Sequence, residues 1–243
     1  FKMCTTMTAM EEGIISQGDT VVDEGEFKKI TPSPKCWIFT SGGGATHGSI
    51  NVMQALAQSC NYFFYEMGYR LGTNSKGNYD SALGLSKIEK YAKVLGLDMK
   101  SGVEITERDP HFSTESAVHS AIGQGSNAYT PVQLARYVST IANGGKNYSL
   151  TLLDKVVSSK GKTVLKKKSK LTNTVDASGS TWDAIHTGMR EVITEGTVYK
   201  YFKDTKINIA GKSGTAQENK KRNSHALFVA YAPYDNPEIA TSV

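Results

Sequence analysis

The sequence predicts an α/β (α+β) fold in which helices pack against a mainly antiparallel sheet. Helical spacing of apolar residues dominates the middle of the chain, whereas strand-like runs lie toward the C-terminus. Nothing marks a linker within the 243 residues, and a single domain of this length buries roughly three quarters of its unfolded surface. We therefore expect one domain over residues 1–243.

Five segments have the apolar spacing or the caps of helices. Met3, Met7 and Met10 recur at helical spacing and stop at Gly13, so the chain opens inside a helix. Residues 17–50 are rich in Gly, Pro, Ser and Thr and predict irregular loops with short strands. Four more helices follow: one capped by Asn51 and running through Leu56 to Ala57, one carrying Ile88, Tyr91, Ala92 and Leu95 and closed by Gly96, one from Thr130-Pro131 to Asn143-Gly144-Gly145, and one from about Trp182 to Ile193 that stops at Gly196.

The C-terminal part has the composition of strands. Residues 207–210, 225–232 and 238–243 predict three strands with turns between them. Lys212 would follow directly on the first strand, and Gln217, Glu218 and Asn219 predict a polar turn.

The net charge of +5 comes largely from one lysine-rich segment. Two alternating apolar runs and a Ser-Ser-Lys-Gly turn predict a solvated hairpin there, while the alternative is contact with an anionic surface such as lipid head groups or wall polymers. Nucleic acid is disfavoured because no aromatic residues are interleaved for base stacking. The lysines are Lys155, Lys160, Lys162, Lys166, Lys167, Lys168 and Lys170.

Cysteine and histidine usage gives no sign of a cofactor. Cys4, Cys36 and Cys60 form no framework of paired spacings, so we expect free thiols. The five histidines show no close pairing of the metal-ligand kind, and we predict no metal. No stretch is long and apolar enough to span a bilayer.

Three short strings carry the chemistry, and the first is Phe1-Lys2. On a helix, a serine three residues before Lys2 would place its hydroxyl beside the amine. A buried lysine can lose its proton near neutral pH and serve as a general base. Taken alone, Phe1-Lys2 also fits an exposed helix lysine.

The second string is Ser59-Cys60-Asn61. The hydroxyl of Ser59 can relay a proton, and the amide of Asn61 can hold a substrate carbonyl. The alternative is a helix end with local side-chain hydrogen bonds. Another Ser-x-Asn, Ser49-Ile50-Asn51, is interpreted as capping of a helix start.

The third string is Lys212-Ser213-Gly214-Thr215. Its lysine and serine can grip a carboxylate, and its glycine lets a substrate backbone lie against a strand edge. The amide of Thr215 can donate to a developing oxyanion. A simple turn after a strand is the alternative.

Together these strings resemble the transpeptidase domain of a class B penicillin-binding protein; the motif set of penicillin-binding proteins is S-x-x-K, S-D-N and K-T-G. The resemblance runs in the family's order over about two hundred residues. Its further stretches are His47-Gly48, Ala55 to Phe64, Ile122-Gly123-Gln124-Gly125, Thr130 to Ala135, Ile141 to Gly145, Thr194-Glu195-Gly196-Thr197, Ala210 to Gln217, His225 to Phe228, and Ala232-Pro233.

This resemblance implies a role for each site residue. Lys2 would be the base, Ser59 the proton relay and Asn61 the group that positions the substrate. Lys212, Ser213 and Gly214 would bind the terminal carboxylate of the donor peptide or of a β-lactam, and Thr215 would offer its amide to the oxyanion. Ser213 stands where threonine is commoner in the family, which keeps the hydroxyl.

The nucleophile implied by the resemblance is a serine three residues before Lys2. That position precedes Phe1, and the last predicted strand stops without a turn or cap. We therefore expect a domain truncated at both ends and a fragment that is inactive by itself. No role is assigned to the Gly123-Gln124-Gly125 stretch beyond backbone crowding near the sheet.

The resemblance further implies a β-lactamase/transpeptidase-like fold with helices on both sides of the sheet, and a peptidoglycan D,D-transpeptidase that needs no cofactor. Its expected partners are stem peptides, β-lactam antibiotics and cell-wall synthesis proteins. The parent would lie on the extracytoplasmic face of the cell membrane, touching the membrane only through an N-terminal anchor. The alternatives are a β-lactamase or D,D-carboxypeptidase, and a β-lactam sensor or non-catalytic penicillin-binding module.

Overall fold

The computed structural model describes residues 1–216 and 223–243. Its helices are α1 (Lys2–Glu11), α2 (Trp37–Ser41), α3 (Val52–Ala57), α4 (Asn61–Leu71), α5 (Ser81–Val94), α6 (Ala117–Ser120), α7 (Pro131–Ala142), α8 (Gly179–Thr194) and α9 (Tyr199–Phe202). Its strands are β1 (Val21–Asp23), β2 (Gly48–Ile50), β3 (Lys146–Tyr148), β4 (Lys155–Val157), β5 (Thr163–Lys166), β6 (Leu171–Thr174), β7 (Ala210–Ala216), β8 (His225–Ala232) and β9 (Ile239–Ser242). Helices and antiparallel strands are mixed, so the predicted fold class is confirmed.

The central sheet has three antiparallel strands in the order β7-β8-β9. Its register places Lys212 opposite Val229 and Gly214 opposite Leu227. Helix α8 packs against β7, and α7 packs against β8 and β9. Three two-stranded antiparallel ribbons lie outside this sheet in the described ranges: β1-β2, β3-β6 and β4-β5.

Helix α1 is the buried centre of the domain. Eight of its ten residues are buried, and it packs against α4, α5 and α8. Met3 and Met7 contribute to the core, as the predicted stripe requires, but the polar residues between them are buried too. A side chain at the start of this helix is therefore taken out of water, and that residue is Lys2.

The predicted helix starts are confirmed by their caps. The side chain of Asn51 accepts from the amide of Gln54, whose own side chain bonds back to Asn51. Thr130 and Gln133 form the same reciprocal box, with Pro131 at the first helical position. Such caps satisfy the amides that a helix leaves unpaired at its first turn.

The prediction for the first C-terminal strand is wrong. The strand is Ala210–Ala216 rather than residues 207–210, so Lys212 lies inside it and not after it. Glycines hide this strand from sequence patterns because they weaken strand propensity. Gly211 is required by packing, since a Cβ there would lie 2.8 Å from the ring of Phe228 and 2.9 Å from the carbonyl of Val229.

Other predictions for this region have mixed outcomes. Strands β8 and β9 are confirmed within one residue at each end, and the polar turn at Gln217, Glu218 and Asn219 lies outside the described residues.

Helix α4 was not predicted, because eight of its eleven residues are buried and it shows no clean polar face. Within the described ranges, no helix has the length and apolarity needed to cross a bilayer.

Candidate active site

Lys2 reaches the Ser59-Cys60-Asn61 string directly. Its Nζ donates to the Ser59 carbonyl at 2.8 Å, to Ser59 Oγ at 3.0 Å and to Asn61 Oδ1 at 2.7 Å. The three acceptors match the three N–H bonds of an ammonium. The Lys2 side chain also lies over the ring of Phe64, with Nζ 5.5 Å from its centroid.

Ser59 sits in an unusual backbone conformation between α3 and α4. Its φ of 54° lies in the left-handed region, which non-glycine residues seldom occupy. The Cys60 amide bonds to the Ala55 carbonyl at 3.0 Å and closes the turn. In this conformation both the carbonyl and the hydroxyl of Ser59 face Lys2.

Lys212 approaches the same hydroxyl from the sheet. Its Nζ donates to Ser59 Oγ at 2.9 Å and to the Ser213 carbonyl at 2.9 Å. The chain positions of Lys212 and Ser59 are 153 residues apart, so only the tertiary fold brings them together. The three predicted strings therefore meet at one atom, Ser59 Oγ, which accepts from both Lys2 and Lys212.

The two lysines cannot both hold their protons easily. Burial lowers the pKa of Lys2 from 10.5 to about 8. Burial also lowers the pKa of Lys212 well below its usual value, and the nearby charge of Lys2 lowers it further. Only 7% of Lys2 and 5% of Lys212 is exposed, so water screens their repulsion weakly. One of the amines is therefore available as a base near neutral pH.

The hydroxyl of Ser213 is held by a residue to which sequence reasoning assigned no role. Thr197 Oγ1 lies 3.1 Å from Ser213 Oγ, and the Thr197 amide donates to the Ala57 carbonyl at 3.1 Å. Gly196 permits this approach, because a Cβ there would lie 2.4 Å from the same carbonyl. The only signal in the sequence was the family-like stretch Thr194-Glu195-Gly196-Thr197.

A groove of about 630 Å³ runs beside β7. Gly214 and Thr215 lie on its wall, and across it the Gln124 side chain donates to the Thr215 carbonyl at 3.2 Å. Strand β7 is an edge of its sheet within the described ranges, so its backbone can pair with an extended peptide. The Gly123-Gln124-Gly125 stretch therefore contacts the motif strand through its glutamine.

Four metal-binding side chains meet beneath the Ser59 turn. The donor atoms of Asp23, Cys36, His47 and Cys60 lie within 4.8 Å of one another. His47 Nδ1 is 2.7 Å from Asp23 Oδ2, and Cys36 Sγ is 3.8 Å from Cys60 Sγ. A hydrogen bond from Cys60 lowers the pKa of the Cys36 thiol to about 5, with a further contribution from His47.

Two thiols, an imidazole and a carboxylate form a donor set typical of a four-coordinate Zn²⁺ site. The cluster contains a single histidine, so it has no histidine pair by which a sequence pattern could reveal it. The expectation of no metal stays untested, and this cluster is the place to test it. Cys60 also caps α4, accepting from the Phe63 amide at 3.4 Å, so the cluster anchors the turn that presents Ser59. All three cysteines of the chain are buried and free.

Comparisons of the sequence with known proteins show the family to which the chain belongs. A sequence model described as the penicillin binding protein transpeptidase domain matches residues 1–243. The chain belongs to this family. Penicillin-binding protein 2A of Bacillus subtilis (strain 168) is 30% identical over 100% of this chain and 36% of its own length. The peptidoglycan D,D-transpeptidase MrdA of Haemophilus influenzae is 27% identical over 98% of this chain and 39% of its own length.

The fold agrees with solved structures of the same family. Penicillin-binding protein 2B from Streptococcus pneumoniae (strain R6) superposes with a TM-score of 0.83 at 26% identity, covering 99% of this chain and 42% of that chain. The predicted β-lactamase/transpeptidase-like fold and the class B family are thus confirmed. The chain spans about two fifths of the length of the curated relatives it matches.

Proposed function

We propose that this chain is the transpeptidase part of a peptidoglycan D,D-transpeptidase that works through an acyl-serine. The observation that carries the proposal is the contact of Lys2 and Lys212 with one hydroxyl, Ser59 Oγ, beside an edge strand that can hold a peptide. Family membership and the relatives' names support it.

In the first step, the attacking serine lies three residues before Lys2 and therefore precedes Phe1. As its oxygen bonds to the penultimate D-alanine carbonyl of a donor stem, its proton passes to the neutral Lys2 amine. The tetrahedral intermediate then breaks the peptide C–N bond. The departing D-alanine amine takes the proton, relayed by Ser59.

In the second step, an amine of a neighbouring stem attacks the ester carbonyl. Its proton passes back through the same amine and hydroxyl to the serine oxygen as the ester C–O bond breaks. Asn61 positions the substrate amide, and the Thr215 amide stabilises the oxyanion of both intermediates. Lys212, Ser213 and Gly214 hold the terminal carboxylate of the donor, or the carboxylate of a β-lactam.

The wider setting is proposed from the family. The parent protein would be held on the extracytoplasmic face of the cell membrane and would work with other cell-wall synthesis proteins. One structural neighbour is described as part of a peptidoglycan synthase complex that coordinates polymerization and crosslinking.

Labelled penicillin and a donor stem peptide test the proposal on the full-length protein. We expect one covalent adduct per protein, located by peptide mapping on a serine three residues before Lys2, and transfer of the donor peptide to an acceptor amine. Steady hydrolysis of a fluorogenic cephalosporin would instead identify a β-lactamase. Binding of penicillin without any transfer or release of D-alanine would identify a sensor or non-catalytic module.

A further inference from the structure

The hairpin formed by β4 and β5 concentrates the positive charge of the chain. Residues 154–170 contain seven lysines and one aspartate, a net charge of +6, whereas the whole chain carries +5. The rest of the molecule is therefore close to neutral, with a net charge of −1. A field this localised attracts anions to one place on the surface.

The hairpin stands apart from the rest of the fold. Within residues 1–216 and 223–243, strands β4 and β5 pair only with each other, with Lys155 opposite Lys166 and Val156 opposite Leu165. All seven strand residues are exposed. The turn closes through the Ser158 amide, which donates to the Lys162 carbonyl at 2.8 Å.

The hairpin exposes apolar side chains among its lysines. Val157 and Val164 are 52% and 69% exposed, and Val156 and Leu165 are 42% and 46% exposed. Val156 and Leu165 are cross-strand partners, so these exposed aliphatic side chains adjoin one another. An adjoining group of exposed apolar side chains marks an interaction site.

The lysines of this hairpin are mostly without counter-ions. Among the residues described, the ion pair recorded for this segment joins Lys167 to Glu104 at 3.5 Å. Lys155, Lys160, Lys162, Lys166, Lys168 and Lys170 are all exposed. Their charge is therefore available to an external anion.

We propose that this hairpin binds the surface of an anionic lipid bilayer, a membrane contact in addition to the N-terminal anchor that the family resemblance implies. Its lysines would lie among the head groups, and its valines and leucine would enter the boundary with the acyl chains, as interfacial segments do. A dissolved anionic wall polymer is negatively charged like the bilayer, but it has no apolar interior. Binding to such a polymer would therefore leave the exposed valines and leucine without an apolar partner. The proposal concerns a surface outside the catalytic groove and does not depend on the acyl-transfer reaction.

Vesicle co-sedimentation of the 243-residue chain tests this inference, with phosphatidylcholine vesicles containing either none or a third of phosphatidylglycerol. We expect binding to the anionic vesicles and none to the neutral ones. Substituting Lys160→Gln, Lys162→Gln and Lys166→Gln together weakens binding on the order of a hundredfold. The matched control, Lys28→Gln, Lys76→Gln and Lys203→Gln, removes the same charge elsewhere and weakens it less than about fivefold.

A second pair of variants separates lipid from polymer. Val157→Ser with Val164→Ser keeps every charge and weakens vesicle binding roughly tenfold, while Val22→Ser with Ile105→Ser, exposed elsewhere, leaves it unchanged. Circular dichroism checks that each variant is folded. Absence of vesicle binding overturns the proposal, as does an unchanged affinity of the Val157/Val164 variant. Equal binding of that variant and the wild-type chain to soluble poly(glycerol phosphate), without vesicle binding, assigns the hairpin to a wall polymer instead.

Discussion

Lys2 and Lys212 donate to one atom, the hydroxyl oxygen of Ser59, over 3.0 and 2.9 Å. The two amines come from a buried helix and from an edge strand, and both lose their water on folding. Burial lowers both pKa values, so the site holds amines and a hydroxyl between which protons can pass. This network is the physical core of the proposed acyl transfer.

Removing the shared hydroxyl tests the relay. Ser59→Gly removes Oγ and keeps a residue that tolerates the φ of 54°. We expect penicillin acylation of the full-length protein to slow by about two to three orders of magnitude, measured by stopped-flow fluorescence. Ser59→Ala should slow acylation equally. Its melting temperature should be lower than that of Ser59→Gly, because alanine retains the strain of this backbone conformation, which is worth about 1 kcal/mol. Equal melting temperatures would remove the strain argument.

The pKa of Lys2 sets a pH dependence. The base works as a neutral amine, and burial lowers its pKa from 10.5 to about 8. At pH 7 only about a tenth of the molecules carry the neutral amine, so the acylation rate should rise as the pH passes through 8 and level off above pH 9. A rate that is flat or falls between pH 6 and 9 would contradict Lys2 as the base.

The proposed role of Lys212 in binding the substrate carboxylate gives a further prediction. We expect Lys212→Met to slow acylation at least about a hundredfold, because the amine that would hydrogen-bond to the β-lactam carboxylate is lost. The melting temperature should hold or rise, since an amine that is 95% buried is replaced by an apolar side chain of similar length. The exposed Lys203→Met is the control, and acylation at the wild-type rate in Lys212→Met would exclude the grip.

Thr197 is predicted to position Ser213. Thr197→Val keeps the shape of the side chain but removes the hydroxyl 3.1 Å from Ser213 Oγ. We expect KM for a donor peptide to rise about tenfold with a smaller change in kcat, because the hydroxyl that binds carboxylate is no longer held. Thr194→Val, at the last residue of α8, is the matched control. A change confined to kcat would place Thr197 in the chemical step instead.

The cluster of Asp23, Cys36, His47 and Cys60 gives a metal prediction. Added Zn²⁺ should raise the melting temperature of the chain, because an ion that binds only the folded state stabilises it. A chelator should reverse the rise, and Cys60→Ala should abolish it, whereas Cys4→Ala outside the cluster should not. A melting temperature indifferent to Zn²⁺ would leave the cluster as a hydrogen-bonded support for the Ser59 turn.

Much of the site was predictable because its residues lie in short strings with a recognisable order. Lys2, Ser59, Asn61, Lys212 and Ser213 were all named from sequence, and the structure brings them together. Helices with explicit caps, such as those beginning after Asn51 and Thr130, were equally visible.

The missed features depend on tertiary contacts that no local pattern reveals. The position of strand β7 was predicted wrongly because Gly211 and Gly214 lower the strand propensity of its sequence. Packing against Phe228 nevertheless requires glycine at position 211. The metal-type cluster was not predicted because its four residues lie in four separate segments of the chain. Gln124 and Thr197 carried family-like patterns, but their contacts with Thr215 and Ser213 exist only in the folded chain.

The most direct test of the central claim is the acylation rate of Lys2→Met in the full-length protein. Labelled penicillin and intact-mass spectrometry follow the adduct, and circular dichroism follows the fold. The proposed network predicts a folded protein whose acylation is slower by at least about a thousandfold. A folded Lys2→Met protein acylated within threefold of the wild-type rate would show that Lys2 is not the base.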